Sequence, residues 1–242
     1  MGFVNCYEDA GCASAYATLE FANTYYLAYR DLPEIISRHV IGTRALDFGC
    51  GTGRSTRFLR QLGLAVTGVD IAEDMLHIAR ALDPSGDYRH VPGDDLSGLA
   101  ARSYDLVLSA FTFDNIPAAE KVRIFTDLGN LLAAQGTVVS IVSSPDIYTH
   151  EWASFTTSDF PENRRARDGD RVRTVVTDHQ DRRPVDDVFC TDATYRAVYE
   201  EAGLQIARVY RPLASGVEPY AWVSETAVPP WVIYALRHQA SR

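Results

Sequence analysis

Nothing in the 242 residues approaches the run of about 20 apolar positions that a membrane-spanning helix needs. The amino terminus, "MGFVNCYEDAGC", lacks both the basic start and the continuous apolar stretch of a leader, and carries two acids instead, so neither a secretory signal nor a transit peptide fits. Cysteine is scarce: Cys6, Cys12, Cys50 and Cys190 stand at spacings that match no zinc pattern, and without a leader they read as reduced thiols in a cytoplasmic, metal-free protein. Basic charge is in deficit, 23 Lys plus Arg against 32 Asp plus Glu. The one dense basic cluster, "ENRRARDGDR", is interleaved with acids, which argues against nucleic acid or a membrane surface as partner. Repeats and low-complexity linkers are absent. What remains, 46% hydrophobic and 23% charged, is ordinary globular composition for a single domain over 1–242, a monomer or homodimer acting on a small molecule.

Short β-rich runs alternate with helical stretches, the pattern of a doubly wound, Rossmann-like parallel sheet with crossover helices. Strands are expected at 44–48, 65–69, 88–91, 104–108, 137–142, 204–210 and 231–236. Apolar residues at three- and four-residue spacing place helices at 54–63, 72–82, 118–136 and 192–203. Gly63 and Gly136 stand where left-handed helix C-caps are wanted. Residues 1–40 read as a helical cap. Residues 143–190 break the rhythm with three prolines, a charged middle and the alternating "RVRTVVTDH", so an inserted lid with one or two strands is expected there.

The first strand runs into "ALDFGCGTGR", a glycine turn that opens a helix. Glycine permits φ > 0 and a close approach of ligand to backbone, and the free N–H groups of the helix start suit a negative group. Gly49, Gly51 and Gly53 follow G-x-G-x-G rather than the G-x-G-x-x-G of a dinucleotide loop. Asp47, two residues earlier, would be badly placed for pyrophosphate and acceptable for a cationic ligand. The second strand ends in "GVDIAEDM", where Asp70 is placed to accept from two ribose hydroxyls and Ile71 offers an apolar ledge for a purine.

Taken in series, "ALDFGCGTGR", "VTGVDIAEDML", "VPGDDLSGL" and "YDLVLSAFTF" resemble the successive motifs of the class I S-adenosylmethionine-dependent methyltransferases, small-molecule type, over residues 40–142. The resemblance implies S-adenosyl-L-methionine as cofactor and a seven-stranded sheet whose last strand, Trp231–Leu236, runs antiparallel. It assigns the loop glycines to the methionine part of the cofactor, Asp70 to the ribose and Asp94 or Asp95 to the adenine amino group. Met75 and Phe111 complete that cofactor set, joined by Tyr16, Tyr25 and Arg30 from the amino-terminal cap. "SAFTFDNIP" stands where nucleic-acid amino-methyltransferases carry Asn/Asp-Pro-Pro-Tyr/Phe, so that signature is missing.

Several of these residues have structural readings of equal chemical sense. Asp70 suits a helix N-cap, "GDD" a turn, Gly53 helix packing, Arg30 an ion pair with Asp31 or Glu34, and the tyrosines one core face. For the acceptor, the topology brings Phe113, Trp152, Tyr220 and Trp222 toward the carboxyl edge of the sheet, an aromatic wall for a small oxygen or nitrogen nucleophile, aromatic or heterocyclic and of secondary metabolism. His150, Asp114 and Tyr7 are the available bases, His150 equally readable as a structural histidine. An NAD-dependent oxidoreductase and a non-catalytic S-adenosylmethionine-binding regulator are the competing classes.

Overall fold

Strand residues of alternating orientation supply two cores, one on each face of a sheet, and this explains the near-continuous apolar runs. In the computed structural model, which describes residues 21–92 and 95–239, β1 (Arg44–Phe48) sends Ala45 to one core and Leu46 to the other. β4 (Tyr104–Ala110) divides Leu106 and Leu108 from Val107 in the same way, and β5 (Leu132–Ser143) divides Val139 and Ile141 from Val138 and Val142. With β2 (Ala65–Asp70), β3 (Asp87–His90), β9 (Leu204–Tyr210) and β10 (Trp231–His238), the order across the seven strands is β3-β2-β1-β4-β5-β10-β9. β10 lies antiparallel to both neighbours, as expected for the last strand.

Among the described residues, six α-helices cover the faces: α1 (Thr24–Arg30), α2 (Leu32–His39), α3 (Arg54–Gln61), α4 (Glu73–Leu82), α5 (Ala118–Leu131) and α6 (Asp192–Glu201). Gly63 has φ +88° after α3, the left-handed stop expected of it. Gly136 does not play that part. α5 ends at Leu131, and the β4–β5 register slips between Tyr104 and Leu106, so residues 133–136 bulge from the strand. A Cβ on Gly136 would stand 2.7 Å from the Tyr104 carbonyl oxygen, so close packing is what requires glycine there.

The insertion forms three short strands instead of one or two: β6 (Phe155–Thr156), β7 (Arg171–Val176) and β8 (Val185–Val188), paired antiparallel in that order. Phe155, Val172 and Val176 join the same core as Tyr25, Leu27 and Trp231. The small sheet therefore shares the core of the large one and stands over its carboxyl edge. The 211–230 loop is tied down by the fully buried Glu225, which accepts from Thr24 Oγ1 at 2.5 Å, Ala153 N at 2.7 Å and Val223 N at 2.9 Å.

Candidate functional site

A cavity of about 530 Å³ opens at the carboxyl ends of β1, β2, β4 and β5, the edge where an open α/β sheet binds ligands. Its first half is built by the glycine turn. Gly49, Gly51 and Gly53 have φ of +72°, +52° and +80°, so the chain folds back on itself before α3 begins. A Cβ on Gly51 would meet nothing within 4 Å and would enter the cavity, whereas one on Gly49 would fall 2.2 Å from Thr112 Oγ1. Asp70 Oδ2 accepts from Gly51 N at 2.7 Å and Oδ1 from Ala72 N at 2.9 Å. The carboxylate thus fixes the glycine turn and the turn after β2 while facing the cavity; Ala72, not Asp70, is the N-cap of α4, so the cap reading of Asp70 is not met. Ile71, Met75 and Val91 add apolar surface beside it.

Asp47 lies under the turn and is not part of the lining. Its Oδ2 accepts from Ser55 Oγ at 2.7 Å and Thr56 Oγ1 at 2.6 Å, while Oδ1 accepts no hydrogen bond from the described residues. Burial pushes its carboxyl up to about 6, the hydroxyls opposing the shift. Asp47 holds α3 to β1 and reaches a ligand only through that helix. Gly53 likewise does not line the cavity and has Tyr88 against it: an added Cβ would stand 2.6 Å from the Tyr88 hydroxyl, which bears out helix and strand packing as its use.

The second half is aromatic. Phe111, a bulky residue held at φ +64°, directs its ring onto Trp231 (centroids 4.6 Å) and Tyr25 (5.5 Å). Tyr25 also stacks on Trp231 at 5.8 Å, with Phe155 at 5.3 Å. The Arg54 guanidinium, at the first position of α3, stands 4.7 Å from the Tyr25 ring centre and 5.4 Å from that of Tyr29. At the far wall, Asp114 and Ser143 meet Asp187 of β8. Asp114 is 6% exposed and accepts from Ser143 N at 3.0 Å and Ser143 Oγ at 2.9 Å. Asp187 Oδ2 accepts from the Tyr148 hydroxyl at 3.1 Å. Burial raises both carboxyls well above the usual range, and the charge of Asp114 raises Asp187 further.

The expected residues divide accordingly. Tyr25, Gly49, Gly51, Asp70, Ile71, Met75, Phe111 and Asp114 line the cavity. Asp95 is exposed and accepts from Ser97 N at 2.9 Å, which is the turn reading. Arg30 is ion-paired to Asp31 at 2.7 Å and Glu218 at 3.1 Å, away from the cavity. Phe113 is fully buried between Phe125 (4.0 Å) and Phe48 (5.7 Å), a core residue on the other face of the sheet. Trp152 is buried with its indole N–H on Ile147 O at 2.9 Å, and His150 Nδ1 lies 3.1 Å from Asp146 O, so both serve the insertion's own structure. Tyr220 and Trp222 pack on each other and on Tyr26, outside the lining, because Glu218 and Glu225 draw their loop back against the amino-terminal helices. Tyr7, Tyr16 and Asp94 lie outside the described residues. Arg54 closes the motif "ALDFGCGTGR" and Trp231 begins the last strand, whereas Phe155 and Asp187 carry no local motif, and only the three-dimensional return of the insertion to this edge brings them in.

Residues 46–140 match the family model described as a methyltransferase domain. The chain is 35% identical over 112 residues to the probable S-adenosylmethionine-dependent methyltransferase CRG1 of Saccharomyces cerevisiae, covering 43% of this chain and 37% of that protein. It is 39% identical over 85 residues to the ubiquinone biosynthesis O-methyltransferase of Bordetella avium, covering 34% and 35% respectively. It therefore spans about a third of the length of these curated relatives. A putative S-adenosylmethionine-dependent methyltransferase from Listeria monocytogenes has the same fold, with TM-score 0.62 and 19% identity over 88% of this chain and 99% of that one.

Proposed function

We propose that this chain, matched over residues 46–140 by a methyltransferase-domain model, is a class I S-adenosylmethionine-dependent methyltransferase and moves the methyl group to an oxygen or nitrogen of a small acceptor. The residues present fit the cofactor. The space above Gly51 stays open to the cavity, the Asp70 carboxylate stands at the strand end beside an apolar ledge of Ile71 and Met75, and Arg54 lines the same cavity. Gly49, Gly51 and Arg54 would hold the amino-acid part, Asp70 the ribose, and Ile71 with Met75 the adenine face. Bound there, the sulfonium supplies a methyl group already attached to a good leaving group.

The chain's own work is then positional and protonic. Tyr25, Phe111, Phe155 and Trp231 form an apolar wall that keeps water from the acceptor and orients a flat or compact molecule, an effect worth several kcal/mol when alignment is tight. Asp114, buried and held by Ser143, is placed in the cavity to receive a proton from the acceptor. The observation that carries this reading is the continuity of the cavity from the glycine turn to that aromatic wall. The wall that the insertion adds with Phe155, Val176 and Asp187 supports a small acceptor over a polymer. Purified protein incubated with methyl-labelled S-adenosylmethionine and a small-molecule extract of its host should label one low-molecular-weight product, identified by mass. Label passing to protein or nucleic acid, or to nothing while the cofactor product binds, overturns the proposal, the last outcome marking a regulator.

A further inference from the structure

Two carboxylates remote in sequence enter the acceptor half of the cavity, and their polar partners there are neutral. Asp114 follows β4 and accepts from Ser143; Asp187 comes from β8, which packs on the 113–115 turn, and accepts from the Tyr148 hydroxyl. Arg171 pairs with the adjacent Asp186, not with Asp187. The nearest cation behind them is Lys121, fully buried, its Nζ donating to Ile116 O at 2.7 Å and Cys190 Sγ at 3.2 Å. Burial and mutual repulsion favour a proton shared on this pair, and a cation entering between the two would let both ionise. An independent feature faces the same space: the rings of Tyr25, Phe111, Phe155 and Trp231 gather within 4.6 to 5.8 Å of one another, a surface that receives cations as well as flat apolar groups.

We infer that the acceptor is a small amine, taken in as an ammonium ion between the carboxylates of Asp114 and Asp187 and this aromatic wall. The inference rests on the methyltransferase reading above. An anionic acceptor such as a phenolate or carboxylate would oppose ionisation of this pair and gain nothing from it, whereas an ammonium ion favours ionisation of both members. An ammonium ion would meet a sulfonium in the same cavity, and the second carboxylate is what makes that approach favourable. The bookkeeping of the reaction agrees. The ammonium gives one proton to a carboxylate of the pair and becomes a neutral amine. The nitrogen lone pair then forms the new C–N bond while the methyl–sulfur bond breaks, its electrons staying on sulfur. Positive charge thus passes from sulfur to a nitrogen beside Asp114 and Asp187, where a fixed negative field already stands. The raised proton affinity of the pair, caused by burial and mutual repulsion, matches the proton-accepting step.

The test is calorimetric, on protein saturated with S-adenosylhomocysteine, and uses two probes of equal shape: 2-phenylethylamine, charged at neutral pH, and 2-phenylethanol. The amine should bind roughly tenfold or more tightly than the alcohol, and Asp187→Asn should reduce that ratio toward one with S-adenosylhomocysteine affinity unchanged. Equal or tighter binding of the alcohol overturns the inference, as does an undiminished ratio in a folded Asp187→Asn, or no binding of either probe. Should Asp187→Asn lose S-adenosylhomocysteine binding through misfolding, the wild-type ratio alone decides. Failure of the wild type to bind S-adenosylhomocysteine overturns the methyltransferase reading itself, a distinct result read before either probe is added.

Discussion

Gly49 and Gly51 sit two residues apart in one turn, yet an added methyl group meets Thr112 at the first and open cavity at the second. Gly51→Ala should therefore fold, losing about 1 to 2 kcal/mol to its left-handed backbone, and should bind S-adenosylhomocysteine roughly tenfold or more weakly, because 1.4 kcal/mol of lost fit is already tenfold. Gly49→Ala should lower the melting temperature more. Calorimetry with thermal unfolding checks both, and full affinity in Gly51→Ala would remove the turn from the donor site. Asp47 makes a different residue-scale case. Its folded carboxyl is raised from 3.8 to about 6, so between these values the folded protein holds the proton more tightly than the unfolded chain. The stability this group gives is present below pH 4 and is lost as pH rises through 6, about 3 kcal/mol at most for a shift of about two units. Urea unfolding of Asp47→Asn should show the variant gaining on the wild type across that window, whereas parallel curves would show that the carboxyl is not raised. The glycines, Asp70, Ile71 and Met75 were legible in the sequence because each is set by local chain geometry. Asp187 was not: in "PVDDVF" it reads as one of two acids on an exposed strand.

At the scale of elements, the seven strands were legible because strand period and helix spacing are local signals, while the insertion was not fully so. "RVRTVVTDH" marks β7, but β6 is two residues long and β8 carries adjacent acids, patterns too short and too polar to announce a sheet. The 212–230 loop was expected on the ligand side from topology alone. Glu225, buried and bonded to Thr24, Ala153 and Val223, draws it against α1 and the insertion instead. Glu225→Gln would turn an amide N–H₂ toward groups that are themselves donors, and should cost about 1 to 3 kcal/mol of stability. A chemical denaturation midpoint equal to the wild type's would show that this anchor carries no weight. The insertion supplies Phe155, Thr174, Val185 and Asp187 to the cavity wall, so its exchange behaviour should answer to the acceptor. Amide hydrogen exchange over β7 and β8 should slow when S-adenosylhomocysteine and an amine are both bound, beyond the effect of the first alone. Protection already equal to β4 and β5 in the empty protein would mean a fixed wall and no lid.

For the whole molecule, the formal charge of −9 fits a ligand that carries a sulfonium better than one that carries a pyrophosphate, and the cavity repeats that preference with Asp70, Asp114 and Asp187 around its lining. The fold places both halves of the cavity at one sheet edge, so the proposed donor and acceptor functions would rest on different segments: 48–75 for the first, and Tyr25, Phe111, Asp114, the insertion and Trp231 for the second. The most direct measurement is a pair of calorimetric titrations of the intact chain, one with S-adenosylhomocysteine and one with NAD. Saturable binding of S-adenosylhomocysteine, weakened in Gly51→Ala, is expected with no comparable binding of NAD; saturable binding of NAD with none of S-adenosylhomocysteine would overturn the methyltransferase reading.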